Sequence, residues 1–185
     1  MDKYKVVLIV GPSGSGKDTL AKGICENNPK FNYVITATTR PMRENEINGK
    51  NYHFLTELEF ERENFVEETV FNGWRYGTPF SSLSSIAINI IVCNPAGMKS
   101  LLNHPMIDVL HVYMLKTKDK IRMERQLHRE TSPVVGEIVR RWSADWEDFS
   151  NLDQSYSKDE RFVKLKNNNG YDIVLAARRI MDENN

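Results

Sequence analysis

Apolar positions along the chain fall into two kinds of pattern. Residues 4–10, YKVVLIV, form a continuous run rich in Val and Ile, the signature of a strand covered on both faces. After GPSGSGKDT, residues 18–25 carry Leu20, Ala21, Ile24 and Cys25 at helical spacing. A strand, a glycine turn and a helix are therefore predicted in succession. Further strands are predicted at 33–36, 88–93, 109–114 and 162–165, and helices at 96–102 and 172–181, the last introduced by the turn and cap NNNGYD. Buried strands separated by helices imply an α/β fold, an open parallel sheet flanked by helices with right-handed crossovers.

Two stretches interrupt that rhythm. Residues 44–80 crowd aromatic side chains from Tyr52 to Tyr76 among acids and turn residues, and read as a small lobe of antiparallel strands. Residues 116–149 are helical and dense in Arg and Lys, with a break at Thr131, Ser132 and Pro133 that reads as the hinge of a lid. The expected organisation is one domain over 1–185, with a core of 1–43, 81–115 and 150–185, the inserted lobe 44–80 and the helical lid 116–149.

A length of 185 residues suits one sizeable core, and 40% hydrophobic with 27% charged residues excludes a disordered chain. Lys plus Arg balance Asp plus Glu at 25 each. No global field therefore draws nucleic acid or an anionic membrane, neither is expected as a partner, and any phosphate affinity must come from local placement. The longest apolar run, 86–93, is broken by Asn89 and is far shorter than the roughly 20 residues that span a bilayer. The opening MDKYKVVLIVG turns to Gly and Pro without a secretory pattern, so a cytoplasmic protein is expected. Cys25 and Cys93 stand far apart without metal-ligand spacing and are expected to pack as small hydrophobes.

Residues 11–17 match GxxxxGK, in which glycines turn backbone N–H groups toward phosphate oxygens and the lysine adds a mobile charge at a helix start. The candidate phosphate cradle, for ATP, is Gly11, Pro12, Ser13, Gly14, Ser15, Gly16, Lys17, Asp18 and Thr19. The pattern ordinarily closes on a Ser or Thr whose hydroxyl binds magnesium, whereas here Asp18 follows the lysine and Thr19 comes one place later.

The segment TATTRPMRENEINGKNYHF resembles the substrate-binding signature of guanylate kinases, with Arg40, Arg43, Tyr52 and the NGK turn in register. FVEETVFNGWRYGT is similar to a second signature of that family and puts Glu67, Tyr76, Gly77 and Thr78 on matching positions. With the glycine loop and the basic lid, the resemblance runs from residue 4 to residue 141. It implies a P-loop kinase fold and transfer of the ATP γ-phosphate to GMP or dGMP with Mg2+. It further implies that Lys17 holds the transferring phosphates while Arg125, Arg129 and Arg141 close from the lid. The residues support this on their own chemistry. Arg40, Arg43, Tyr52 and Tyr76 suit a phosphate dianion, and a carboxylate at Glu67 with hydroxyls at Thr36 and Thr78 suits the N–H donors and O6 acceptor of guanine.

One stretch departs from the family, which has two acids in LDIDxQG where this chain reads IVCNPAG, with Val92 and Asn94 in their places. Asn94 keeps an amide oxygen for the base but loses the charge, and Asp18 is expected to supply the lost negative charge to magnesium. Two other functions remain open at this point. A relaxed pocket would make a broad-specificity deoxynucleoside-monophosphate kinase, and loss of catalysis would make a guanylate kinase-like binding module. The intact Lys17, glycines and lid arginines favour an enzyme.

Overall fold

The computed structural model describes residues 3–26, 28–71, 73–129 and 133–184. Its centre is a parallel sheet in the order β2-β7-β1-β8-β9, formed by β1 (Tyr4–Val10), β2 (Phe31–Tyr33), β7 (Ile88–Cys93), β8 (Ile107–Lys116) and β9 (Phe162–Lys166). The unbroken apolar run of β1 is explained by its place in the middle of that sheet. Val6, Leu8 and Val10 face one layer, which includes Met98 and Leu101 of α3 (Pro95–Leu102). Val7 and Ile9 face the other, against Leu20, Ala21 and Ile24 of α1 (Lys17–Cys25) and Ala176 and Ile180 of α7 (Gly170–Glu183). Burying both faces of a strand requires an apolar side chain at every position, which removes the alternation a half-exposed strand would show.

A smaller sheet in the order β4-β3-β6-β5 carries β3 (Ala37–Thr38), β4 (His53–Phe54), β5 (Phe65–Phe71) and β6 (Trp74–Pro79), with the short helix α2 (Glu57–Arg62) between β4 and β5. Thr56 caps α2, accepting the Glu59 N–H while Glu59 accepts the Thr56 N–H. Pairing of β5 with β6 and of β3 with β6 is antiparallel, whereas β3 and β4 are parallel. The strand expected at 33–36 differs from what forms. β2 ends at Tyr33, and the chain crosses between sheets before β3, with Val34 N–H still donated to Ile90 and the Thr36 carbonyl already accepting from His53. The smaller sheet thus draws its β3 from residues ahead of position 44. Beyond β8 come α4 (Asp119–Leu127), α5 (Val135–Phe149) and α6 (Leu152–Ser155). Of the expected hinge, Thr131 and Ser132 lie outside the described residues. Asn169 caps α7, its side chain accepting the N–H groups of Tyr171 and Asp172, so the NNNGYD signal falls where the helix begins.

Asn89, the polar break in the longest apolar run, is fully buried in β7. Its amide donates to the carbonyls of Lys5 at 3.1 Å and Ser84 at 2.9 Å, and its oxygen accepts from Asn32 Nδ2 at 2.9 Å and the Ser84 N–H at 2.8 Å. One side chain therefore stitches the loop before β7 to both neighbouring strands, and deleting it strands several buried groups at once. Asn89→Leu is expected to lower stability by about 2 to 4 kcal/mol, read as a lower urea midpoint at unchanged slope.

Candidate active site

The turn between β1 and α1 is built by its glycines. Gly11, Gly14 and Gly16 have φ of 157°, 77° and 92°. At Gly14 a Cβ would stand 2.6 Å from the Arg122 carbonyl oxygen, and at Gly16 2.4 Å from Asn167 Nδ2, so side chains are excluded by space as well as by backbone. The Ser15 N–H closes a turn on the Pro12 carbonyl at 3.1 Å, which also accepts Lys17 Nζ at 3.2 Å. Burial pulls the Lys17 ammonium below its ordinary value, opposed by the charges of Asp18 and Asp145. Asn167 holds the Ser15 carbonyl at 2.6 Å and Arg125 reaches the Gly14 and Ser15 carbonyls at 3.3 and 3.4 Å, so the outer rim of the loop is fully engaged.

One cleft of about 840 Å3 joins this loop to the smaller sheet and the lid helices. Of the sequence-predicted residues it is lined by Gly11, Ser13, Gly14, Gly16, Lys17, Asp18, Thr19, Thr36, Arg40, Arg43, Tyr52, Glu67, Tyr76, Asn94, Arg125, Arg129 and Arg141. Pro12 and Ser15 stand behind the loop, and Ser15 Oγ is buried with no partner among the described residues. Thr78 is fully buried and donates its hydroxyl to Glu67 Oε1 at 2.8 Å, so it addresses the carboxylate and does not line the cleft. Asn94 accepts the Gly97 N–H at 2.8 Å as the cap of α3, which commits its oxygen to the helix. Asp18 reaches Tyr33, whose phenol is pushed up by burial first and then by the Asp18 charge and hydrogen bond.

At the far end, Arg40 donates Nη2 to both oxygens of Glu46 at 2.9 Å and lies 5.5 Å from the Tyr52 ring centre. Glu46 also accepts the Arg43 N–H at 2.9 Å and faces Arg43 Nη1 at 3.3 Å and Arg129 Nη2 at 3.4 Å. Burial works against its charge, but the Arg43 N–H and the arginines outweigh it and hold its carboxyl below the usual range. Arg43 is lowered to about 10 by burial and by Arg40, Arg141 and Arg129. Three guanidinium groups thus converge on one buried carboxylate, more positive charge than it can balance. Glu46 escaped the sequence reading because an acid in a polar loop gives no local sign of burial. Gln126, buried on α4 with both amide atoms unpartnered among the described residues, also lines the cleft and left no signal in a basic helix.

Glu67 sits across from Gly97, where a Cβ would lie 3.1 Å from its Oε2. That oxygen is buried and without a partner among the described residues. Burial pushes the carboxyl from 4.5 up to about 7, against the pull of the Thr78 hydrogen bond.

A glycine loop between a central parallel strand and a helix, facing a second set of arginines across one cleft, defines a P-loop nucleotide kinase fold. A crystal structure of guanylate kinase from Anaplasma phagocytophilum has that fold, with a TM-score of 0.63 at 18% identity over 98% of this chain and 85% of the other. The family model for guanylate kinase matches residues 3–174, and the chain belongs to the guanylate kinase family. A Carboxydothermus hydrogenoformans guanylate kinase is 32% identical over 162 residues, 83% of this chain and 78% of that protein. A Chlorobium luteolum guanylate kinase is 45% identical over 78 residues, which span 40% of this chain and 40% of that relative's length. Among the described residues no helix is long and apolar enough to cross a membrane.

The raised Glu67 carboxyl has a measurable sign. The folded protein favours its protonated form, so the stability tied to this group is fully present below about 4.5 and is lost as pH rises through about 7. The displacement corresponds to about 3 kcal/mol. Glu67→Gln is expected to stabilise the protein by up to about that amount at pH 8 and by much less at pH 5, in urea unfolding at the two pH values.

Proposed function

We propose that the chain is an ATP-dependent nucleoside-monophosphate kinase that moves the γ-phosphate onto GMP or dGMP. The observation that carries this reading is Glu67 Oε2, a buried carboxyl oxygen without a partner among the described residues, in the same cleft as a phosphate loop and a separate arginine cluster. Guanine offers adjacent N–H donors to such an oxygen, and leaving it unpaired costs on the order of 1 to 3 kcal/mol. Thr78 orients the carboxylate, and Thr36 lines the base end. Arg40, Arg43, Tyr52 and Tyr76 bind the acceptor phosphate dianion, for which the surplus of positive charge around Glu46 is already assembled.

Phosphoryl transfer requires alignment and charge neutralisation more than covalent help from the protein. Lys17 and the amides at the start of α1 hold the donor phosphates. Arg129 exchanges Glu46 for phosphate, and Arg141, now on Glu137 Oε1 at 2.8 Å, does the same from α5. Arg125 keeps the loop's rim in place from α4. Closure of the lid excludes water and so favours transfer over hydrolysis. The donor set suits magnesium, which takes one or two protein ligands and otherwise phosphate oxygens and water. Asp18 and Thr19, at the cleft end of α1, would hold it. The chemistry it would supply there is neutralisation of charge on the donor phosphates.

Because Asn94 spends its oxygen on the α3 cap, base choice rests on Glu67, and this favours a relaxed acceptor range as the second reading. Coupled ADP production with ATP, magnesium and GMP, dGMP, AMP, dTMP or dCMP in turn separates the two. Turnover confined to GMP and dGMP, falling roughly a thousandfold in Lys17→Ala, is the expected result. Turnover with several bases would establish the broad-specificity kinase, and GMP binding without any turnover would establish a binding module.

A further inference from the structure

Both lid helices meet the phosphate loop at one shared residue, Ser13, through a buried network outside the roles assigned above. Asp145 of α5 accepts the Ser13 N–H through Oδ2 at 2.8 Å and the Ser13 hydroxyl through Oδ1 at 3.2 Å. Arg122 of α4 donates Nη2 to the same Oδ2 at 2.8 Å and Nε to the Ser13 carbonyl at 3.0 Å. Ser13 is therefore gripped on its N–H and its carbonyl by an ion pair that belongs to the lid. Both partners are buried, at 4% exposure for Asp145 and 7% for Arg122, and the guanidinium is packed on the Trp142 ring at 4.3 Å. The contact is close because Gly14 lets the Arg122 carbonyl approach the loop.

We propose that Asp145, held by Arg122, is a positioning residue for phosphoryl transfer. It fixes the Ser13 peptide, and with it the loop that presents Lys17, while keeping the base of both lid helices on that loop as the rest of the lid moves. The proposal rests on the kinase reading above for its catalytic part, though the grip on Ser13 stands without it. Separating one partner of a buried, hydrogen-bonded ion pair is strongly unfavourable, so the lid cannot swing as a unit about its ends. The lid contact farther out is of a different kind. Arg129 is 46% exposed and meets Glu46 at 3.4 Å, a pair that solvent and a competing phosphate can replace. Motion is thereby confined to the part of α4 beyond Arg125, which holds the Gly14 and Ser15 carbonyls, and the part of α5 before Asp145. A loop misplaced by about 1 Å can lower turnover on the order of a hundredfold, which gives a rigid base a catalytic consequence. Asp145 also acts electrostatically, since the charged groups around Lys17 are Asp18, Asp145, Arg122 and Arg129, and the two acids counter the effect of burial on its proton.

The test compares Asp145→Asn and Asp145→Ala with the parent, measuring ADP affinity by calorimetry and kcat and KM with ATP and GMP across pH. Asp145→Asn keeps an oxygen for the Ser13 N–H but drops the charge. It is expected to lower kcat roughly tenfold with KM for GMP within about twofold, and to move the high-pH limb of kcat to lower pH as Lys17 loses one supporting carboxylate. Asp145→Ala, which loses the grip as well, is expected to lose roughly a hundredfold and to weaken ADP binding. Parental kcat, ADP affinity and pH limb in both variants would overturn the proposal. Should neither variant fold, amide hydrogen exchange in the unmodified protein decides. A Ser13 N–H that is protected without nucleotide supports the grip, and one that exchanges at the free rate overturns it. A parent that binds ADP but turns over no monophosphate would sink the kinase reading alone, and Ser13 exchange with the variants' ADP affinity would still decide this one.

Discussion

Like charges repel, and a cleft that gathers Lys17, Arg40, Arg43, Arg129 and Arg141 has to be held together against that repulsion. Much of the structure around the cleft answers that requirement. Glu46 is buried among the guanidinium groups, Glu137 takes Arg141, and Asp145 takes Arg122 beside Lys17. The cleft is thus held together by carboxylates of the chain itself.

This division explains what could be read from the sequence. The phosphate loop was legible because its constraints are local: glycines at fixed spacing, a strand before and a helix after. The candidate acceptor end drew on resemblance as well as on residue chemistry, since Arg40, Arg43, Tyr52, Glu67 and Tyr76 come from separate strands and turns that a sheet must bring together. The carboxylates that balance the cleft were not legible. Glu46 follows an Asn in a polar loop and Asp145 sits in a helix rich in acids, where nothing distinguishes a buried acid from a solvated one. Arg122 was hidden for the same reason in a helix where every third or fourth residue is basic.

The fold shows the same contrast. Long apolar runs identified the central strands, whereas β3 and β4 are two residues each and exist because neighbouring backbones supply their hydrogen bonds. A two-residue strand carries too little pattern to be recognised, and so the start of the smaller sheet was placed too late. Asn89 runs the other way. A polar residue that breaks an apolar run suggests the end of a strand, but hydrogen bonds to Asn32, Ser84 and Lys5 let it remain buried within one.

Glu67 carries a further consequence. With its carboxyl raised to about 7 by burial, Glu67 near neutrality is divided between ionised and protonated forms. With Thr78 donating to Oε1, a ligand that presents an N–H donor to Oε2 selects the ionised form, so its arrival expels a fraction of a proton into the medium. The heat of binding at neutral pH then contains the heat of protonating whatever buffer is present, and the pocket reports its occupancy as acid release.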